Sequence, residues 1–188
     1  MHVRELELDF EAHRTGAAPP GIDSIAGHWT LVPDHTSRNA GTVLAQQMET
    51  TAERHHLALI RSLDLSDAHM RVAVREQAGE ISSGGGLAFR WDEGAGYVVW
   101  VDGVSMRARV DDVSESHRRT LGLCDVRPPE HEWWVLDLVV IDRSITLRVD
   151  GELCVSIDDD AHQRRGGIGF VTFADARTHF DDFALESK

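Results

Sequence analysis

Apolar side chains recur at every second position along most of this chain, the period at which an extended strand presents residues to one face. In residues 68–76, Met70, Val72 and Val74 fall on one side and His69, Arg71, Ala73 and Arg75 on the other, as a half-buried strand requires. β-Branched and aromatic residues concentrate between short turn clusters, which predicts many short strands and few helices.

The pattern places strands at 4–10, 28–33, 42–48 and 56–61, with an irregular Pro- and Gly-rich connection at 15–27. Residues 97–110 read as two strands meeting at Asp102-Gly103, and 144–157 as two meeting at Asp150-Gly151, since Asp-Gly favours tight hairpin turns. A strongly apolar strand at 132–141 lies between them, and strands at 166–173 and 178–186 close the chain. About thirteen strands in this order suit two stacked antiparallel sheets. Gly84, Gly85 and Gly86 read as a flexible loop running into a strand; no helix or Lys-Ser/Thr pair follows to make a phosphate cradle.

With 188 residues and 41% apolar content, one domain spanning 1–188 is expected. No apolar run reaches the roughly 18 residues of a membrane-spanning helix, so no membrane partner is expected. The segment MHVRELELDFEAHR has no apolar run followed by a small-residue cleavage site. That implies a cytoplasmic location, or a secreted one if a leader has been removed. A core of this size needs no disulfide framework, so Cys124 and Cys154 read as buried thiols that pair only if their strands adjoin. A net charge of −13 with scattered arginines argues against nucleic acid. It fits a neutral saccharide, a cation or a basic protein surface, and leaves a protein partner or self-association open.

The ordered series LDFEAHRTGAAPPG, GHWTLVPD, TVLAQ, GGLAFRW, EWWVLDL, ITLRVDGELCVSIDDD, GGIGFVTFADA and FDDFAL resembles concanavalin A-like lectin/glucanase (LamG-like) domains related to the 3-keto-disaccharide hydrolase family. That resemblance implies a jelly-roll β-sandwich whose first and last strands are neighbours and whose concave sheet carries a sugar site. It also implies a structural calcium ion between the terminal strands, for which Asp9, Asp181 and Asp182 are the candidate ligands; calcium takes carboxylate and carbonyl oxygens. Where such domains carry an Asn-Tyr-Tyr run followed by an Arg and an Asn, this chain has Ala95, Gly96 and Tyr97, then Trp100 and Asp102. Phe173 stands in place of a lysine.

Alternation puts Trp100 and Asp102 on the same side of their strand. On a concave face the indole would stack on a pyranose while Asp102 and Arg90 bond its hydroxyls; these three are the candidate carbohydrate-binding residues. Glu7, Asp9 and Glu11 resemble the E-x-D-x-E signature of family-16 glycoside hydrolases, whose paired carboxyls stand about 5 Å apart. That signature lies mid-chain in those enzymes, whereas here it occupies the first strand, where an acidic edge is the simpler reading. The histidines show no zinc spacing, and no G-x-S-x-G elbow is present. A non-catalytic carbohydrate-binding module is therefore the expected function. A glycoside-cleaving hydrolase of the glucanase or 3-keto-disaccharide hydrolase type and a structural or protein-interaction module are the alternatives.

Overall fold

A computed structural model describes residues 5–38, 41–114 and 116–188. In chain order the strands are β1 (Glu5–Leu8), β2 (Ile22–Ala26), β3 (Trp29–Pro33), β4 (Thr42–Gln46), β5 (His55–Ile60), β6 (Ala68–Ala78), β7 (Gly84–Asp92) and β8 (Ala95–Asp102). They continue as β9 (Arg107–Val113), β10 (Arg118–Asp125), β11 (Trp134–Ile141), β12 (Ser144–Val149), β13 (Glu152–Asp158), β14 (Gly167–Phe173) and β15 (Arg177–Ser187). Among the described residues there is no helix. Residue 4, where the alternation starts the first strand, lies outside the described residues.

The strands form two stacked antiparallel sheets, a jelly-roll sandwich. The eight-stranded sheet runs β13-β12-β11-β6-β15-β4-β3 with β1 also paired to β15, and the seven-stranded sheet runs β10-β9-β8-β7-β14-β5-β2. Glu7 faces Ala184 and Leu8 faces Phe183 in the β1–β15 ladder, so the first and last strands are neighbours. Between the sheets, Met70, Val72 and Val74 of β6 and Trp134, Leu136 and Leu138 of β11 pack with Leu87, Phe89, Tyr97 and Phe170 of the opposite layer. Phe170 meets Phe180 and Phe183 with ring centroids 5.4 Å apart in both pairs. Full burial of each such side chain contributes roughly 1.5–3 kcal/mol.

The two sheets differ on their outer faces. β11 alternates buried and half-buried residues along its length, as a strand with one wet face should. In contrast, Gly96–Asp102 of β8 and Gly84–Arg90 of β7 are buried without interruption. The central strands of the seven-stranded sheet therefore bury both faces, although among the described residues no third layer of strands covers them.

Several local expectations are corrected. The connection at 15–27 contains β2, an edge strand against β5, and β10 is a further edge strand. Neither buries a regular apolar row, so periodicity does not reveal them. Gly84, Gly85 and Gly86 lie inside β7; a Cβ on Gly85 would come within 2.6 Å of the Val171 carbonyl oxygen, so the glycines admit close strand approach. Asp150 and Gly151 form the two-residue hairpin, with φ of 50° and 84°. At the other Asp-Gly, however, Asp102 pairs with Arg107 and the turn takes residues 103–106. Asp102 closes that longer turn by accepting a hydrogen bond from Ser105 N at 3.1 Å. Finally, Cys124 and Cys154 are not thiols. They form a disulfide because β10 and β13, the outermost strands of the two sheets at one edge of the sandwich, adjoin.

Candidate functional site

The outer face of the seven-stranded sheet is floored by a second apolar cluster that includes Leu57, Val98, Trp100, Val171 and Phe173. The Trp100 and Phe173 rings are 5.5 Å apart, and the His55 ring lies 5.1 Å from Phe173. Gly86 faces Trp100 across the β7–β8 ladder, so no side chain stands between the indole and β14. Alternation through the β8–β9 register puts Arg109 opposite Trp100 and Asp111 opposite Val98 on this same face.

Polar groups converge on the aromatic floor. Trp100 Nε1 donates to Asp111 Oδ2 at 3.1 Å, and Thr120 Oγ1 donates to Asp111 Oδ1 at 2.7 Å. The Arg109 guanidinium lies 4.4 Å from the Trp100 ring centre, and that of Arg118 lies 4.7 Å from Phe173. Arg118 Nε stands 3.8 Å from Asp111 Oδ2. On a flat sheet β10 and β14 would be four spacings, roughly 19 Å, apart; the contact of Arg118 with Phe173 shows that this face curls inward. Burial holds the His55 imidazole down to about 4, with the positive charge of Arg118 adding to the effect, and its Nε2 is buried without a hydrogen-bond partner.

The three residues singled out by sequence do not form one site. Trp100 lies in this floor, 2% exposed. Arg90 sits at a β7 irregularity with φ of 50°, and its buried guanidinium is fully engaged. It donates to Ser66 O at 2.7 Å, His162 O at 3.0 Å, Asp142 O at 2.6 Å and Asp67 Oδ1 at 3.2 Å. Asp102 shares the face of Trp100 but accepts from Ser83 N and Ser82 Oγ as well as Ser105. Phe89 pairs with Tyr97 and Gly84 with Asp102, so Arg90, one residue beyond Phe89, and Asp102 are separated by about six strand residues, roughly 20 Å. Both hold loops. His55, Arg109, Asp111, Arg118 and Thr120 were not legible as site residues from composition alone; the signal for Arg109 and Asp111 is the hairpin register that carries them to the face of Trp100.

The acidic residues of the terminal strands cluster elsewhere, at the eight-stranded sheet. Asp181 is 1% exposed, and burial pushes its carboxyl up to about 7, with the charges of Asp182, Glu11 and Asp9 adding to the rise. Its Oδ1 accepts from Asp182 N at 2.8 Å, while its Oδ2 has no partner. Glu11 Oε2 accepts from Thr42 N at 3.2 Å, and Oε1 has no partner. Among the described residues no three His, Cys, Asp or Glu side chains are gathered into a ready-made metal group. Glu7, Asp9 and Glu11 do not share a strand face: β1 ends at Leu8, and Phe10 turns the chain with φ of 59°.

Other depressions exist. One of about 560 Å³ lies between the β7–β8 hairpin and residues 160–165, but no Trp, Tyr or Phe lines it. The inward-curled face combines aromatic rings, guanidinium groups and a carboxylate.

No family model matches the chain, and no curated protein sequence matches it. Solved structures do resemble it. A carbohydrate-binding module CBM66 from Bacillus subtilis superposes with a TM-score of 0.73 at 17% identity, covering 89% of this chain and 96% of that one. The laminarinase from Rhodothermus marinus gives 0.68 at 9% identity over 97% and 96% of the two chains. The exoplasmic/lumenal domain of VIP36, in a Ca2+/Man3GlcNAc-bound form, gives 0.61 at 13% identity over 90% and 84%. With these likenesses added to the sheet order, the chain has the concanavalin A-like lectin/glucanase fold.

Proposed function

We propose that the protein is a non-catalytic saccharide-binding module whose ligand sits on the inward-curled face of the seven-stranded sheet. One observation carries the reading: the Trp100–Phe173 floor is ringed by Arg109, Arg118, His55 and Thr120, groups suited to sugar hydroxyls around an apolar ring face. Hydrolysis of a glycosidic bond takes two carboxyl groups, one on each side of it. In this floor the carboxylate is Asp111, whose oxygens already serve Trp100 and Thr120, which favours binding over cleavage. The carbohydrate-related proteins that share the fold support a saccharide ligand.

A structural or protein-interaction role is the second reading, favoured by the 2% exposure of Trp100. Titrating a glycan panel while following tryptophan fluorescence separates the two. Saturable quenching by at least one glycan supports the module; a flat response throughout leaves the structural role.

Calcium at the terminal strands belongs to the same proposal. The unpartnered oxygens of Glu11 and Asp181 fit a hard cation, which would take further oxygens from the backbone or water. The ion would neutralise the buried Asp181 and fix β1 against β15. The Cys124–Cys154 disulfide supports residence in an oxidising compartment outside the cytoplasm, where such bonds persist.

A further inference from the structure

Most arginines with a described ion pair hold a carboxylate oxygen within 3.3 Å: Arg61 that of Asp23, Arg75 that of Asp34, Arg107 that of Asp125, Arg119 that of Asp112 and Arg177 that of Glu49. That is what a chain with net charge −13 should do. The inward-curled face departs from it. Arg109 forms no ion pair among the described residues and lies instead against the Trp100 ring at 4.4 Å. Arg118 lies against Phe173 and stands 3.8 Å from the already bonded carboxylate of Asp111, beyond hydrogen-bond reach.

A guanidinium held over an aromatic face is fixed in position by the ring and keeps its N–H fork available at the edges. Beside these two groups Asp111 is internally satisfied, and Asp102, further along the same face, is held by Ser82, Ser83 and Ser105, so the hydrogen-bonding capacity left on this face is that of the guanidinium N–H groups. The unpartnered His55 Nε2 beside them is uncharged at neutral pH, because burial holds its pKa down, and so serves a hydroxyl and not a second acid.

We propose that the ligand of this face is an acidic saccharide, whose carboxylate or sulfate group is gripped by Arg109 and Arg118 while its ring hydroxyls reach His55 and Thr120. This rests on the saccharide-binding reading above and adds the charge class of the ligand. Two oxygens of a carboxylate or a sulfate match the guanidinium fork with paired charge-assisted hydrogen bonds, which neutral hydroxyls cannot do.

The test is isothermal titration of the whole chain with oligogalacturonate, a sulfated galactan oligosaccharide and neutral laminari-oligosaccharide, each at low and at high salt. Binding of one or both acidic sugars, weakened by salt and reduced about tenfold to a hundredfold by Arg109→Gln or Arg118→Gln, is the expected result. Which acidic sugar binds better assigns the group as carboxylate or sulfate. Laminari-oligosaccharide binding as tightly as either, with no salt dependence, overturns the charge assignment and leaves the saccharide-binding reading intact. Binding of no saccharide overturns both. The salt dependence is measured on the unsubstituted protein, so the test stands even if a variant fails to fold.

Discussion

Cys124 and Cys154 join the outermost strand of one sheet to the outermost strand of the other, their Cα atoms 5.3 Å apart across 30 residues of sequence. The bond closes the edge of the sandwich at which neither β10 nor β13 has a further strand partner. A loop of this length implies a contribution of about 3–4 kcal/mol in the chain-entropy account. The double variant Cys124→Ser/Cys154→Ser should lose that amount in urea unfolding. A midpoint unchanged from the oxidised parent would show that the edge holds without it.

Arg90 is a second fastening. Its side chain ties residues 66–67, 142 and 162 to β7 through four acceptors, and removing one partner of a buried ion pair costs about 3–5 kcal/mol. Arg90→Leu should fall in stability by that much while the folded fraction keeps full saccharide affinity. Loss of affinity with stability retained would return Arg90 to the binding site.

Asp34 sets the acid limit of the fold. Burial acts to raise its pKa, but hydrogen bonds from His179, Thr36 and Arg75 outweigh burial and hold the carboxyl well below the usual carboxylate range. His179 Nδ1 donates to Oδ2 at 2.6 Å, and Arg75 Nη1 reaches both oxygens at 3.0 and 3.1 Å. A group whose pKa is depressed on folding contributes stability above its unfolded pKa and loses it as pH falls toward the folded one. Asp34→Asn should therefore cost about 3 kcal/mol at neutral pH, and its gap from the parent should narrow below about pH 4. A gap independent of pH would show that the carboxylate's charge is not what these partners hold.

Calcium should raise the melting temperature of the parent relative to chelator, since a ligand that binds only the folded state stabilises it. Asp181→Asn should melt higher than the parent in chelator, because it removes a buried charge crowded by Glu11, Asp9 and Asp182, and should lose the calcium increment. Identical melting of the parent with calcium and with chelator would remove the ion from the account.

The sandwich was legible wherever a strand buries one face, as in β6, whose Met70, Val72 and Val74 are all buried. It was not legible at β10, where no residue is buried and periodicity has nothing to report. Trp100 and Asp102 share a face as alternation requires. A two-residue turn at Asp102-Gly103 would set Ser105 opposite Trp100, whereas the longer turn brings Arg109 there; the face is the same and the neighbour differs. Arg90, a candidate beside Trp100 and Asp102, instead sits with positive φ at the β7 irregularity, a bulge that local pattern does not reveal. Phe173 and His55 meet Trp100 only through the order β8-β7-β14-β5, a long-range pairing that local pattern does not carry.

Saccharide binding, as proposed, takes place on the Trp100 face. The direct measurement is the ¹H–¹⁵N correlation spectrum of the protein titrated with the best ligand of the glycan panel. The Trp100 indole Nε1–H and the Arg109 and Arg118 signals should move together and saturate, while signals around Glu7 and Asp182 stay in place. Shifts confined to the outer face of the eight-stranded sheet, with the Trp100 indole unmoved, would contradict it.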